Sequence, residues 1–122
     1  MENKKIMICD DDAGILEVLE MMLDIEGYTV FTESNSTNLM KGINENKPDL
    51  LLMDLWMPVL SGDQLLRTIR STKELEDLPV IILSASVDGN EIADNAGANG
   101  FIAKPFDMDA VSIQIQNILQ NT

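Results

Sequence analysis

The sequence predicts one doubly wound α/β domain, a parallel sheet of five strands with five helices shared between its two faces. Two observations carry this prediction. Five short runs rich in Ile, Leu, Val and Met recur along the 122 residues, and none shows the strict alternation of a strand with one wet face. Such runs read as strands buried on both sides. Between them lie stretches whose apolar residues repeat at helical spacing. Strand–helix alternation of this kind is the pattern of right-handed crossovers joining parallel strands.

The first strand is Lys5 to Cys9. Ile15, Leu16, Val18, Leu19, Met22 and Leu23 then recur at helical spacing until Gly27 supplies a C-terminal stop. Tyr28 to Ser34 is the second strand, and Ser36 to Asn46, with Leu39, Met40 and Ile43 on one face, the second helix, ended ahead of Pro48. Asp49 to Asp54 (DLLLMD) is the clearest buried strand, MPVLSG a loop, and Asp63 to Ser71 a third helix carrying Leu65, Leu66 and Ile69. Pro79 to Ala85 is the fourth strand. Asp88 to Gly97 is a weak helix, rich in Asn, Asp and Gly and poor in large apolar anchors, and is expected to be mobile. Gly100 to Ala103 is a short fifth strand, and Met108 to Leu119 completes the pattern with Val111, Ile115, Ile118 and Leu119.

At 45% hydrophobic content the chain has material for one core and too little for two, so residues 1–122 are expected to be a single domain, with no output domain after the last helix. No apolar stretch approaches the roughly 20 residues of a membrane span, and MENKK lacks the apolar segment of a leader, so a soluble cytoplasmic protein with no membrane partner is expected. Eight Lys and Arg against twenty-one Asp and Glu leave a net charge of −13, which repels phosphate backbones and argues against direct nucleic-acid binding. With no histidine and one cysteine, imidazole acid/base chemistry and the usual Cys/His zinc sites are excluded, and any metal must be held by oxygen. Cys9, inside the first apolar run, reads as a small core residue.

Ligands of open parallel sheets bind beyond the carboxyl ends of the strands, at the switch point of strand order. Asp10 and Asp11 follow the first strand, Asp54 ends the third, Ser84 the fourth, and Lys104 follows the fifth. Each has a local explanation: an Asp opens a turn or caps a helix, a Ser satisfies a loop amide, and a Lys is solvated. Convergence on one edge is what those explanations leave out. Like charges this close need compensation. Mg²⁺, a hard cation that prefers carboxylate, carbonyl and water oxygens, suits Asp10, Asp11 and Asp54, with Asp12 left near the helix start. A carboxylate beside such a cation can attack a phosphoryl group, and Lys104 and Ser84 are the right types to meet the phosphoryl oxygens.

In order, MICDDD, MDLWMPVLSG with its Asp, Met-Pro and Gly spacing, LSA and AGANGFIAKPF resemble the receiver domain of two-component response regulators over nearly the whole chain. The resemblance implies a flavodoxin-like sheet of order 2-1-3-4-5. It implies that Asp54 is the phosphoacceptor, Asp11 a direct Mg²⁺ ligand, Asp10 a ligand acting largely through water, and Trp56 a metal ligand through its backbone carbonyl. It further implies that Ser84 contacts the phosphoryl group on activation, that Phe101 is the switch aromatic, that Lys104 pairs with the phosphate, and that the Lys104–Pro105 bond is cis. Such domains take phosphate from a sensor histidine kinase or phosphotransfer protein, hydrolyse it slowly without being turnover enzymes, and remodel the face of the fourth helix, fifth strand and fifth helix for a downstream partner. Homodimerisation is among the states open to the chain.

Three positions depart from the family pattern. Ser84 replaces the commoner threonine and keeps the hydroxyl. Phe101 stands where tyrosine is common, so its coupling to Ser84 is expected to be steric. Trp56 brings a large indole, expected either to shield an acyl phosphate from water or to be an exposed aromatic without a role. Two other classes compete. DDDAG resembles the nucleophile motif of haloacid-dehalogenase-type phosphatases, although Gly14 stands where that motif has Thr or Val and the chain is short for that fold. A phosphorylation-independent binding module is the other.

Overall fold

The computed structural model describes residues 3–120; Met1, Glu2, Asn121 and Thr122, the last two being those expected beyond the final helix, lie outside the described residues. The strands are β1 (Lys5–Cys9), β2 (Thr29–Glu33), β3 (Leu50–Asp54), β4 (Val80–Ser84) and β5 (Gly100–Ala103), all parallel, in the order β2-β1-β3-β4-β5. The helices are α1 (Ala13–Ile25), α2 (Leu39–Asn46), α3 (Gly62–Ser71), α4 (Gly89–Ala96) and α5 (Met108–Gln120). This is the expected doubly wound, flavodoxin-like arrangement.

Successive strand residues point to opposite faces, and the two cores divide accordingly. Ile6, Ile8, Leu50, Leu52, Ile81 and Leu83 pack beneath α1 and α5, through Leu16, Leu19, Leu23, Val111 and Ile115. Met7, Cys9, Leu51, Met53, Val80 and Ile82 pack beneath α2, α3 and α4, through Leu39, Ile43, Leu65, Leu66, Ile69, Ala93 and Ala96. Because every residue of β3 and β4, and of β1 after Lys5, is buried under one layer of helices or the other, these strands lack polar alternation. β2 differs: it is an edge strand, partly exposed along its length, with Thr29 and Thr32 facing solvent.

Local chemistry explains the remaining boundaries. Asp12 caps α1, its carboxylate accepting from the amides of Gly14 at 2.9 Å and Ile15 at 3.3 Å. Gly27, at φ +98°, adopts the left-handed conformation that ends a helix. The expected second helix begins with a separate 3-10 turn, Ser36–Asn38, because the Asn35 side chain accepts from the Thr37 amide and starts a tight turn before α2. A further 3-10 turn, Lys73–Leu75, follows α3. Among the described residues no helix is long and apolar enough to cross a membrane.

Candidate functional site

Parallel pairing of β1 with β3 sets Cys9 opposite Met53, which brings the next residues, Asp10 and Asp54, to one edge of the sheet. One carboxylate oxygen each from Asp10, Asp11 and Asp54 lies within 4.8 Å of the others. Asp10 is fully buried and Asp54 is only 6% exposed, whereas Asp11 faces solvent. Lys104, just beyond β5, reaches across the edge and its Nζ donates to Asp10 Oδ2 at 2.9 Å and to Asp54 Oδ1 at 3.1 Å. The peptide that joins it to Pro105 is cis, as the resemblance implies.

The buried charged groups are held by the chain around them. Asp10 Oδ1 accepts from the Asp12 amide at 2.9 Å, so both oxygens of this buried carboxylate are satisfied. The three adjacent aspartates therefore divide their work: Asp10 and Asp11 join the cluster while Asp12 caps α1. Gly62, the first residue of α3, lets that helix start against the cluster's floor. A Cβ there would lie 2.5 Å from the Asp54 carbonyl oxygen and 3.0 Å from Leu55 Cα.

Three carboxylates face one ammonium. Burial pushes the Asp54 pKa up, Asp10 raises it further, and the hydrogen bond and attraction of Lys104 counter only part of this. For Lys104, burial pulls downward but is outweighed by hydrogen bonds to and attraction from Asp10 and Asp54, so its pKa is raised. Cys9, beneath the site, is pushed up to about 12, first by burial and then by Glu33 and the aspartates, which keeps it an inert thiol in the core.

The donor set fits a hard divalent cation: oxygen only, anionic in excess, and preassembled on rigid strand ends. Mg²⁺ is expected to raise the melting temperature. At ten times its dissociation constant a ligand adds about 1.4 kcal/mol, or roughly 4–8 °C for a chain of this size. Thermal melts with Mg²⁺ and with chelator check this, and the shift should disappear in Asp11→Asn.

Of the other expected residues, Ser84 and Trp56 sit at the same edge without joining the cluster, and Phe101 lies two residues back from that edge on β5. Ser84, at the end of β4, is buried, and its Oγ accepts from the Ser86 amide at 3.0 Å. Phe101 on β5 is half-buried, pairs in register with Ile82, and packs on the face covered by α2, α3 and α4. Trp56 follows Asp54 by two residues and is 53% exposed. Gly62 is the glycine of the MDLWMPVLSG spacing, and its close approach to Asp54 and Leu55 gives that spacing a physical reason; Arg70 of α3 carries no signal in the sequence.

The family model for the response regulator receiver domain matches residues 6–116. Response regulator MprA of Mycobacterium ulcerans is 32% identical over 120 residues, which is 97% of this chain and 51% of the relative. The chain thus spans about half the length of the curated relatives it matches. A response regulator receiver domain protein from Clostridium thermocellum superposes with TM-score 0.88 at 34% identity, covering 97% of this chain and 95% of that one. The receiver domain of NtrX from Brucella abortus superposes with TM-score 0.86 at 30% identity, covering 96% and 99%.

Proposed function

The chain belongs to the response regulator receiver family, and from that premise we propose that it is a phosphoacceptor switch in which Asp54 takes a phosphoryl group from a sensor histidine kinase or phosphotransfer protein. The observation that supports this most is the bridging of Asp10 and Asp54 by the Lys104 ammonium inside a cluster of three carboxylates. In the reaction an Asp54 oxygen forms a bond to phosphorus as the bond from phosphorus to the donor imidazole nitrogen breaks. The imidazole leaves with the electron pair and takes a proton from solvent, and the product is a mixed anhydride.

Mg²⁺, held by Asp10, Asp11 and Asp54 with the Trp56 backbone carbonyl, would neutralise charge on the phosphoryl oxygens. The chain's own groups do the rest. Lys104 already donates to Asp54 and is close enough to pair with a phosphoryl group attached there. The Ser84 hydroxyl accepts from the Ser86 amide, which leaves its own proton free for a phosphoryl oxygen. The exposed Trp56 indole shields the anhydride from water.

A phosphoryl group adds roughly −1.5 to −2 charge and strong acceptor oxygens. Drawing in Ser84 and Lys104 biases an equilibrium at the face of α4, β5 and α5, with Phe101 following Ser84 by steric contact, and a downstream protein reads that face. The domain acts on itself and turns over no external substrate. The test is incubation with a small acyl phosphate and Mg²⁺. About one phosphoryl group per chain, released by hydroxylamine and absent in chelator, is the expected result; an unlabelled chain that still binds its partner would favour the phosphorylation-independent module.

A further inference from the structure

Gly89 opens α4, and its backbone does not explain why it is glycine. The glycines with positive φ among the described residues are Gly27 and Gly97, so any residue could adopt the Gly89 conformation. Space explains it. A Cβ at position 89 would lie 2.9 Å from both Cβ and Oγ of Ser84 and 3.1 Å from Cε1 of Phe101. The first residue of α4 therefore rests on the two side chains to which the reading above gives the switching role.

The two ends of α4 are held differently. At the C-terminal end, the Gly97 amide donates to Asp94 O and the Ala98 amide to Ala93 O. Arg70 of α3 donates from Nε to Gly97 O at 3.0 Å, from Nη1 to Leu78 O at 2.7 Å and Glu76 O at 3.1 Å, and from Nη2 to Asn99 Oδ1 at 2.8 Å. Asn99 Oδ1 in turn accepts from the Val80 amide at 2.8 Å. This guanidinium fixes the C-terminal end of α4 to α3, β4 and the start of β5. At the N-terminal end, Gly89 donates only to Ser86 O, at 3.2 Å, in its own loop, and otherwise meets the sheet by packing on Ser84 and Phe101. The Asp88 side chain makes no cap to the helix; it pairs with Ser86 Oγ instead.

We propose that Gly89 is a positioning residue of the switch: the missing side chain lets the first turn of α4 sit directly on Ser84 and Phe101, so that a shift of Ser84 toward a phosphoryl group moves that turn about the end anchored by Arg70. This rests on the phosphoacceptor reading and names the contact through which α4 senses it. A side chain at position 89 separates helix from sensor without touching Asp54 or Lys104.

The test uses beryllofluoride with Mg²⁺ as the phosphoryl mimic and reads amide hydrogen exchange across residues 89–96, alongside labelling by a small acyl phosphate. In the wild type the mimic changes exchange in this segment. Gly89→Ala should take up label within about threefold of wild type yet lose at least about four-fifths of the mimic-induced change. Asn90→Ala, an exposed neighbour that raises helix propensity with no clash, should keep it. Full retention of the change in Gly89→Ala, or equal loss in Asn90→Ala, overturns the proposal.

A wild type that takes no label refutes the parent reading instead, so the two failures are distinguishable. If Gly89→Ala does not fold, the Gly89 amide resonance decides: the mimic should shift it in the wild type and at most one-fifth as far in Ser84→Ala. A full shift in Ser84→Ala contradicts the contact.

Discussion

Asp54→Asn is expected to leave phosphoryl labelling below about 1% of wild type, because the amide has no anionic oxygen to attack phosphorus and no neighbour replaces it. Asp10 is buried with both oxygens engaged, by the Asp12 amide and by Lys104, and Asp11 faces solvent. The same substitution should raise stability in metal-free buffer. Folding brings three carboxylates within 4.8 Å with one ammonium against them. Burial and Asp10 raise the Asp54 pKa above its ordinary 3.8, so the folded state holds that proton more tightly than the unfolded chain does. Stability therefore falls as pH rises from 3.8 through the raised folded-state value. Removing the charge should recover on the order of 1 kcal/mol and a few degrees of Tm, read by thermal melts in chelator. Lost labelling together with raised stability separates a charged reactive centre from a carboxylate that supports the fold.

Lys104→Met should act in the opposite direction on stability. The ammonium donates at 2.9 Å and 3.1 Å to carboxylates whose side chains are 0% and 9% exposed. Removing one partner of a buried pair leaves charge without compensation and costs about 3–5 kcal/mol, so Tm should fall by more than about 10 °C in metal-free buffer, with part of the loss recovered in Mg²⁺. Labelling should slow by about 10²–10³-fold, the usual cost of deleting one group that meets developing negative charge. Because both carboxylates raise the Lys104 pKa over its ordinary 10.5, the pair contributes in full below pH 10.5 and is lost as pH climbs through the raised value. The wild type should show this alkaline step in its stability profile and Lys104→Met should not.

The strands were legible because apolar runs bounded by Gly, Pro and Asp mark buried parallel strands, and their carboxyl ends named Asp10, Asp11, Asp54, Ser84 and Lys104 through the geometry of doubly wound sheets alone. What stayed hidden depends on pairings between distant positions. The partly exposed edge at β2 follows from strand order, which Thr29 to Glu33 do not encode by themselves. The sequence set Asp12 at the helix start apart from Asp10 and Asp11, but the bond that Lys104, 94 positions away in sequence, makes to Asp10 shows only in the fold. Arg70 reads as an ordinary helix surface residue until α3 packs beside Gly97 and Asn99. Gly89 reads as a weak helix former, and its reason lies across the sheet in Ser84 and Phe101.

The most direct measurement is the position of the phosphoryl group. Chain labelled by a small acyl phosphate is reduced with borohydride, which converts an aspartyl phosphate to homoserine, and is then mapped by peptide mass spectrometry. Homoserine at position 54 alone is the predicted result. Homoserine at position 10, or a phosphoryl group on a hydroxyl that resists reduction, would contradict the account.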